Sequence, residues 1–282
     1  MTKPRLDQDR PKVAIVAALE REVRPLVRRW RRSEKEHAGR RFRFFENGEA
    51  VLVCGGMGAE AARRAAEAVI VLYAPSVVYS VGYAGALDPR LKVGEVIEPQ
   101  RIVNAGDGSS VTLSERHTLT IAAELRSAGQ PHSTPPRDAR GCSGQAWRAV
   151  PTCVLVSYAL MAGPRQKAKL REAFGADAVD MEAAGVARAA EARGVGFGAV
   201  KVISDEFDFE FPALERFVSA DGCFLETRFA WFVALRPWLW PRVIRLARDS
   251  RRATGALCDQ LQKMSSNPMS ASGEASEVVN RR

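Results

Sequence analysis

The residues in this chain best suited to chemistry are carboxylates. Val179-Asp180-Met181-Glu182-Ala183-Ala184 sets two acids around a methionine where a helix begins, and Val200-Lys201-Val202-Ile203-Ser204-Asp205 is an apolar run that ends in another. Paired carboxylates suit reactions at a sugar carbon. One protonates the departing group, a second handles a hydroxyl or activates water, and nearby negative charge stabilises an oxocarbenium-like centre. A proton donor must be protonated near neutral pH, so burial has to raise its pKa. Asp205, closing an apolar strand, is placed for that. By spacing alone each residue keeps a structural alternative: Glu182 as a helix N-terminal acid, Asp205 as an N-cap or turn residue, Met181 as core, and Glu22 as surface charge in the first turn of a helix. No Ser/His/Asp order or cysteine elbow is visible. The five cysteines and three histidines form no metal-ligand spacing, so no metal is expected.

The elements around these acids alternate. Lys12 to Ala18 reads as a strand buried on both faces, followed by a helix from Leu19. Arg41–Glu46 and Ala50–Cys54 read as a hairpin around Asn47-Gly48. Gly55-Gly56-Met57-Gly58 opens a helix over Ala59–Tyr73 and lets a ligand approach its N-terminus, although it is neither G-x-G-x-x-G nor a P-loop. Strands follow at Ser76–Gly82, Gly94–Val103 and Pro151–Ser157. A helical stretch over 113–129 and a Pro/Ser/Gly-rich loop over 130–149 separate the last two. A helix is expected at Pro164–Phe174 and a short alanine-rich one at Ala183–Arg193. This alternation predicts an α/β fold with a mainly parallel sheet, whose ligands bind outside the carboxyl ends of the strands.

Composition is that of a globular chain, 46% apolar and 27% charged, with no 18-residue apolar run. Scattered, odd-numbered cysteines and a polar start point to a reduced, cytoplasmic setting. The net charge of +9 gathers in Arg21–Arg43 and Arg236–Arg252 without a nucleic-acid motif. No nucleic acid is expected as partner. The basic segments read equally as solvated faces or as a surface for anionic lipid headgroups. The expected layout is a leader over 1–11, one domain over 12–262 with a C-terminal helical extension at 224–262, and a disordered tail over 263–282.

Four segments carry a resemblance: Val13–Val23; Gly56-Met57-Gly58; Gly82-Tyr83-Ala84-Gly85-Ala86-Leu87 with Leu91–Val96; and Val179–Ala184 with Ile203-Ser204-Asp205. In this order they resemble the purine nucleoside phosphorylase/uridine phosphorylase superfamily, above all its methylthioadenosine/S-adenosylhomocysteine nucleosidase branch. The resemblance implies a three-layer α/β/α sandwich around a mixed, partly closed sheet, in a protein that is usually oligomeric. It also implies cleavage of a purine nucleoside's N-glycosidic bond without a cofactor. Asp205 then matches the acid that protonates N7, with Ser204 beside it. Glu182 matches the residue that holds the ribose hydroxyls, with Met181 against the ribose. Glu22 matches the acid that positions attacking water, and Ala84 and Gly85 fall in the loop lining the base and ribose pocket.

Three positions depart from the branch: Tyr83 replaces a small residue, Leu160-Met161 stand where an aromatic stacks on the purine, and Asp180 replaces glutamate. The segments Phe217–Phe224 and Ala234–Asp249 resemble the extension of the hopanoid-associated phosphorylase subgroup, which implies release of adenine from adenosylhopane. That substrate needs an apolar exit from the pocket, for which Tyr83 and Leu160-Met161 are candidates, and a site near a membrane surface. Water placed by Glu22 and inorganic phosphate as co-substrate both remain open as nucleophile, with Arg21, Arg24 and Arg63 as candidate phosphate holders. The competing readings are a methylthioadenosine/S-adenosylhomocysteine or futalosine-type nucleosidase, and a nucleoside-binding protein without turnover.

Overall fold

A computed structural model describes residues 13–48, 50–113, 153–210, 217, 219 and 225–266. The expected leader, the helical stretch at 114–129, the loop at 130–149 and the tail beyond 266 lie outside the described residues.

Strand β1 (Val13–Ala17) is buried along its whole length because β4 (Ala50–Cys54) and β5 (Val77–Ala86) flank it in parallel. A strand covered on both faces has no polar side, which is why its sequence is uninterrupted Val/Ala/Ile. Between β1 and β4 come helix α1 (Glu20–Val27) and the antiparallel strands β2 (Arg31–His37) and β3 (Arg40–Asn47). The β3–β4 hairpin turns at Asn47-Gly48 as its sequence predicts, with Asn47 paired to Ala50.

Strand β2 has no counterpart among the elements expected from sequence. Its residues, Arg-Arg-Ser-Glu-Lys-Glu-His, carry no apolar alternation, and it forms only because β3 offers it a partner edge. It also explains the first basic segment. Arg43 pairs with Glu34 and Glu20, Arg32 with Glu20, and Arg31 with Glu46, so these arginines belong to a charged edge laced with acids. Charge of this kind keeps an edge strand from recruiting another chain.

Helix α2 (Ala59–Tyr73) follows β4, and β5 then runs through the centre of the sheet. Beyond it come β6 (Val96–Ile97), β7 (Arg101–Asn104), β8 (Ser110–Thr112), β9 (Val154–Ser157), α3 (Pro164–Phe174), β10 (Ala178–Asp180), α4 (Ala183–Ala192) and β11 (Gly196–Asp205). The single strand expected over Gly94–Val103 is two, because the chain breaks between Ile97 and Arg101, around Pro99. Helix α5 (Glu226–Ala234), a 3₁₀ turn at Pro237–Leu239 and the 27-residue α6 (Trp240–Ser266) complete the described chain. Helix α6 runs four residues past the boundary expected at 262.

The eleven strands form one sheet with parallel and antiparallel pairs in equal measure, so it is mixed rather than mainly parallel. Its centre is β5, whose side chains alternate between two cores. Val78, Ala84 and Ala86 face the core under α2 and α4, while Val77, Tyr79 and Val81 face the core that holds α1 and the C-terminal half of α6. The result is the expected three-layer α/β/α sandwich.

One edge of β5 changes partner part-way. Val77–Val81 pair with β1, and Gly85–Ala86 pair with β10, while β11 keeps the other edge through Gly85. Residues 82–84 lie in the gap between the two partners. A change of neighbour of this kind opens a crevice at the strand ends.

Candidate active site

The crevice is a cavity of about 510 Å³ that Glu22, Glu182 and Asp205 all line, together with Met57, Tyr83, Ala84, Gly85, Met181 and Ser204. The sequence-predicted residues therefore come together, from five separate segments of chain.

Glu22 sits in the first turn of α1, just past the end of β1, and is 4% exposed. Its Oε2 is buried with no hydrogen-bond partner among the described residues. Burial, then the nearby Glu182 carboxylate, push its pKa up to about 8, against the opposing pull of Lys201 and Arg21. A buried carboxyl oxygen without a partner is costly, and the raised pKa lessens that cost by keeping the group protonated.

Glu182 is the N-cap residue of α4, but its side chain does not cap the helix. Its Oε1 accepts from the Gly58 amide at the N-terminus of α2 (2.9 Å), and its Oε2 accepts from the Met181 amide (3.3 Å). Burial and the Asp180 charge raise its pKa to about 7. The capping is done by others. Asp180 Oδ2 accepts from the Ala183 amide (2.8 Å), and Ser157 Oγ accepts from the Ala184 amide (2.9 Å). The structural alternative raised for Glu182 thus belongs to Asp180, and Glu182 is left for the cavity.

Asp180 also lines the cavity, but its carboxylate is committed within the protein. Its side chain is wholly buried, held by Lys201 Nζ (2.8 Å) and by Ser157 Oγ, which donates to Oδ1 (2.6 Å). Lys201, itself 1% exposed, also donates to Ser80 Oγ (3.0 Å) and draws down the pKa of both Glu22 and Glu182. One buried cation thus underlies three acids, offsetting the charge their grouping would otherwise concentrate. In the sequence Lys201 is legible only as a polar interruption in an apolar strand.

Asp205 ends β11 where the register to β5 shifts between Ile203 and Asp205. An irregularity of this kind re-aims side chains at a sheet end. Its Oδ1 accepts from Ser204 Oγ (2.8 Å), and its Oδ2 accepts from Lys167 Nζ (2.5 Å), which also donates to the Glu206 carbonyl (2.6 Å). Burial raises the Asp205 pKa, the direction a proton donor requires, while Lys167 pulls the other way. Lys167 is 0% exposed, although in the sequence a lysine in the α3 pattern looks like part of a solvated face and nothing singles it out.

Tyr83 lines the cavity, but its hydroxyl is turned to α6, meeting Thr254 Oγ1 (2.6 Å) and donating to the Ser250 carbonyl (3.1 Å). It ties the sheet to the C-terminal helix. Of the arginines considered for phosphate, Arg21 lines the cavity, Arg24 does not, and Arg63 is paired with Glu60 and Glu67 on α2. The lining also has an apolar part, Leu160 and Met161, Phe229 of α5 and Val243, Leu246 and Ala247 of α6, beside Ser250, Arg251 and Thr254 further along α6. Among the described residues no cluster of histidine, cysteine, aspartate or glutamate has the makings of a metal site.

The family model of the phosphorylase superfamily matches residues 12–220. This chain belongs to the phosphorylase superfamily. The match spans every element that carries the acids. Among curated proteins, an aminodeoxyfutalosine nucleosidase of Campylobacter jejuni is 26% identical over 229 residues, 71% of this chain and 90% of that protein. Among solved structures, a futalosine hydrolase of Helicobacter pylori superposes with a TM-score of 0.61 at 18% identity, covering 90% of this chain and 97% of that one. A 5′-methylthioadenosine/S-adenosylhomocysteine nucleosidase of Neisseria meningitidis, in complex with methylthio-immucillin-A, does so at 0.60 and 18%, covering 89% and 97%. The likeness upholds the nucleoside-phosphorylase fold expected from sequence, and this phosphorylase superfamily member is an enzyme. Its family match ends at residue 220, before α5 and α6.

Proposed function

We propose that the protein hydrolyses the N-glycosidic bond of an adenine nucleoside that carries a large apolar 5′ group, adenosylhopane in particular. Asp205 gives its proton to N7 of adenine, the bond from C1′ to the base breaks, and adenine leaves neutral. Water bonds to C1′ and passes its proton to the Glu22 carboxylate, while Glu182 holds the ribose hydroxyls and Met181 packs against the ring. The observation that carries this reading is the convergence of Glu22, Glu182 and Asp205 on a cavity that Phe229 and the α6 residues Val243, Leu246 and Ala247 also line.

Glu22 in the cavity lining favours water over phosphate, because an acid there suits a neutral nucleophile and, of the three arginines considered, Arg21 alone lines the cavity. The apolar wall favours a hydrocarbon at the 5′ position over a small thioether, because burying apolar surface is what such a wall does. The likeness to an aminodeoxyfutalosine nucleosidase favours a second reading, a futalosine-type nucleosidase.

The test is adenine release from adenosylhopane, aminodeoxyfutalosine and methylthioadenosine, each with and without inorganic phosphate. Preference for adenosylhopane and indifference to phosphate are expected. Turnover of methylthioadenosine alone would remove the hopanoid reading, and an absolute need for phosphate would remove water as nucleophile. Binding of adenosine derivatives without any adenine release would make the protein a non-catalytic binder.

A further inference from the structure

Helix α6 has two halves of opposite character. From Ala253 onward it is built into the sandwich, where Ala253, Leu257 and Leu261 join the core beneath α1. Its first half, with α5 and the 3₁₀ turn before it, carries most of the exposed large apolar residues among those described. Trp231 is 72% exposed, Trp238 71%, Leu235 70% and Ile244 66%, with Trp240 half-exposed, all within fourteen residues. Scattered apolar side chains are ordinary on a surface, but five on one helical hairpin form a patch that calls for a partner.

The chemistry around the patch indicates which partner. Residues 226–252 hold seven arginines against only Glu226 and Asp249. Arg236 lies over the Phe232 ring at 4.0 Å and caps the Phe232 carbonyl (3.0 Å), so its charge stays beside the aromatics. Tryptophan beside arginine is the combination that settles at the boundary between lipid headgroups and acyl chains. Among the described residues no helix is long and apolar enough to cross a membrane, so such contact would be made along a surface. The same half-helix lines the cavity with Val243, Leu246 and Ala247 while it exposes Ile244.

We infer that the α5–α6 hairpin docks the enzyme on an anionic lipid bilayer, tryptophans and Ile244 at the acyl boundary and arginines among the headgroups, so that the apolar arm of the cavity stands beside the membrane. Nothing in this surface depends on which nucleoside the cavity takes.

The experiment is flotation of the full chain with phosphatidylcholine vesicles, with and without phosphatidylglycerol, alongside tryptophan emission and sedimentation velocity. Binding to the phosphatidylglycerol vesicles, a blue-shifted emission and weakening by salt are expected. Affinity should fall by about tenfold or more in the double variant Trp231→Ala/Trp238→Ala, whose melting temperature should match wild type. Equal binding by wild type and double variant, or no binding by either, would overturn the docking. So would a self-associated wild type that the double variant dissociates, which would assign the patch to a second copy of the chain.

Discussion

Gly82 and Glu22 fit together as a matched pair. A Cβ on Gly82 would stand 2.8 Å from Glu22 Oε2, and the backbone there holds φ at +153°, which side chains rarely adopt. Three residues on, a Cβ on Gly85 would stand 2.8 Å from Asp205 Oδ2. The two glycines of β5 are thus spaces kept clear for two of the acids. Gly82→Ala should displace the Glu22 carboxylate and lower kcat for adenine release by about a hundredfold, with a stability loss of about 1–3 kcal/mol from strain. Chemical melts alongside turnover would check both.

The protonation of Glu22 gives stability a pH slope of definite sign. An acid whose pKa is raised by folding, from 4.5 to about 8, keeps more protons folded than unfolded between those values. The stability that goes with its protonated form is full below about pH 4.5 and is lost as pH rises through 8. Glu22→Gln removes this term, so the variant should melt higher than wild type at pH 8.5 by an amount that shrinks on going down to pH 4.5. Its adenine release should be nearly abolished. A melting-temperature series across that range measures the crossover.

Activity should follow a bell. Glu22 has to be ionised to take a proton from water, and Asp205 has to be protonated to give one. The rising limb of kcat/KM should therefore lie near pH 8, where Glu22 titrates, with the falling limb set by Asp205.

Lys167 restrains that falling limb, since its ammonium lowers the Asp205 pKa against burial. In Lys167→Met the limb should move to higher pH, a change that a merely structural lysine would not produce. Breaking a buried pair by removing one partner costs about 3–5 kcal/mol. Lys167→Met/Asp205→Asn should recover much of that stability without recovering turnover, which urea melts and pH–rate profiles would reveal together.

The apolar wall predicts a split in specificity. Leu246→Asp should lower kcat/KM for nucleosides with a hydrocarbon 5′ group by about 10–100-fold and leave methylthioadenosine within a few-fold of wild type. Comparison of the two substrates on the same variant is the check.

Several of these features are legible in the amino-acid sequence. Glu182 and Asp205 stand where a helix starts and a strand ends, and element boundaries are what periodicity marks. Spacing does not single out Glu22, because an acid in a first helical turn normally faces water; the family resemblance alone raises it. Lys167 is silent for a related reason. Its place in α3 predicts solvent, and only the packing of that helix against the end of β11 buries it. The capping by Asp180 is not legible, because strand β10 is three residues long, too short for a pattern that tells which of its neighbouring acids caps the helix. Strand β2 has no pattern of its own, and its existence is decided by β3.

The exchange of neighbours along β5 has a consequence for how the enzyme comes into being. Glu22 is fixed by the first strand, Glu182 follows β10, and Asp205 arrives only with β11, which pairs β5 across more than a hundred residues of intervening chain. Pairings that distant form late, since the loop between them must close first. A growing chain therefore carries Glu22 long before it owns Asp205. Adenine-releasing activity should appear in refolding as the last observable, after the secondary structure is complete.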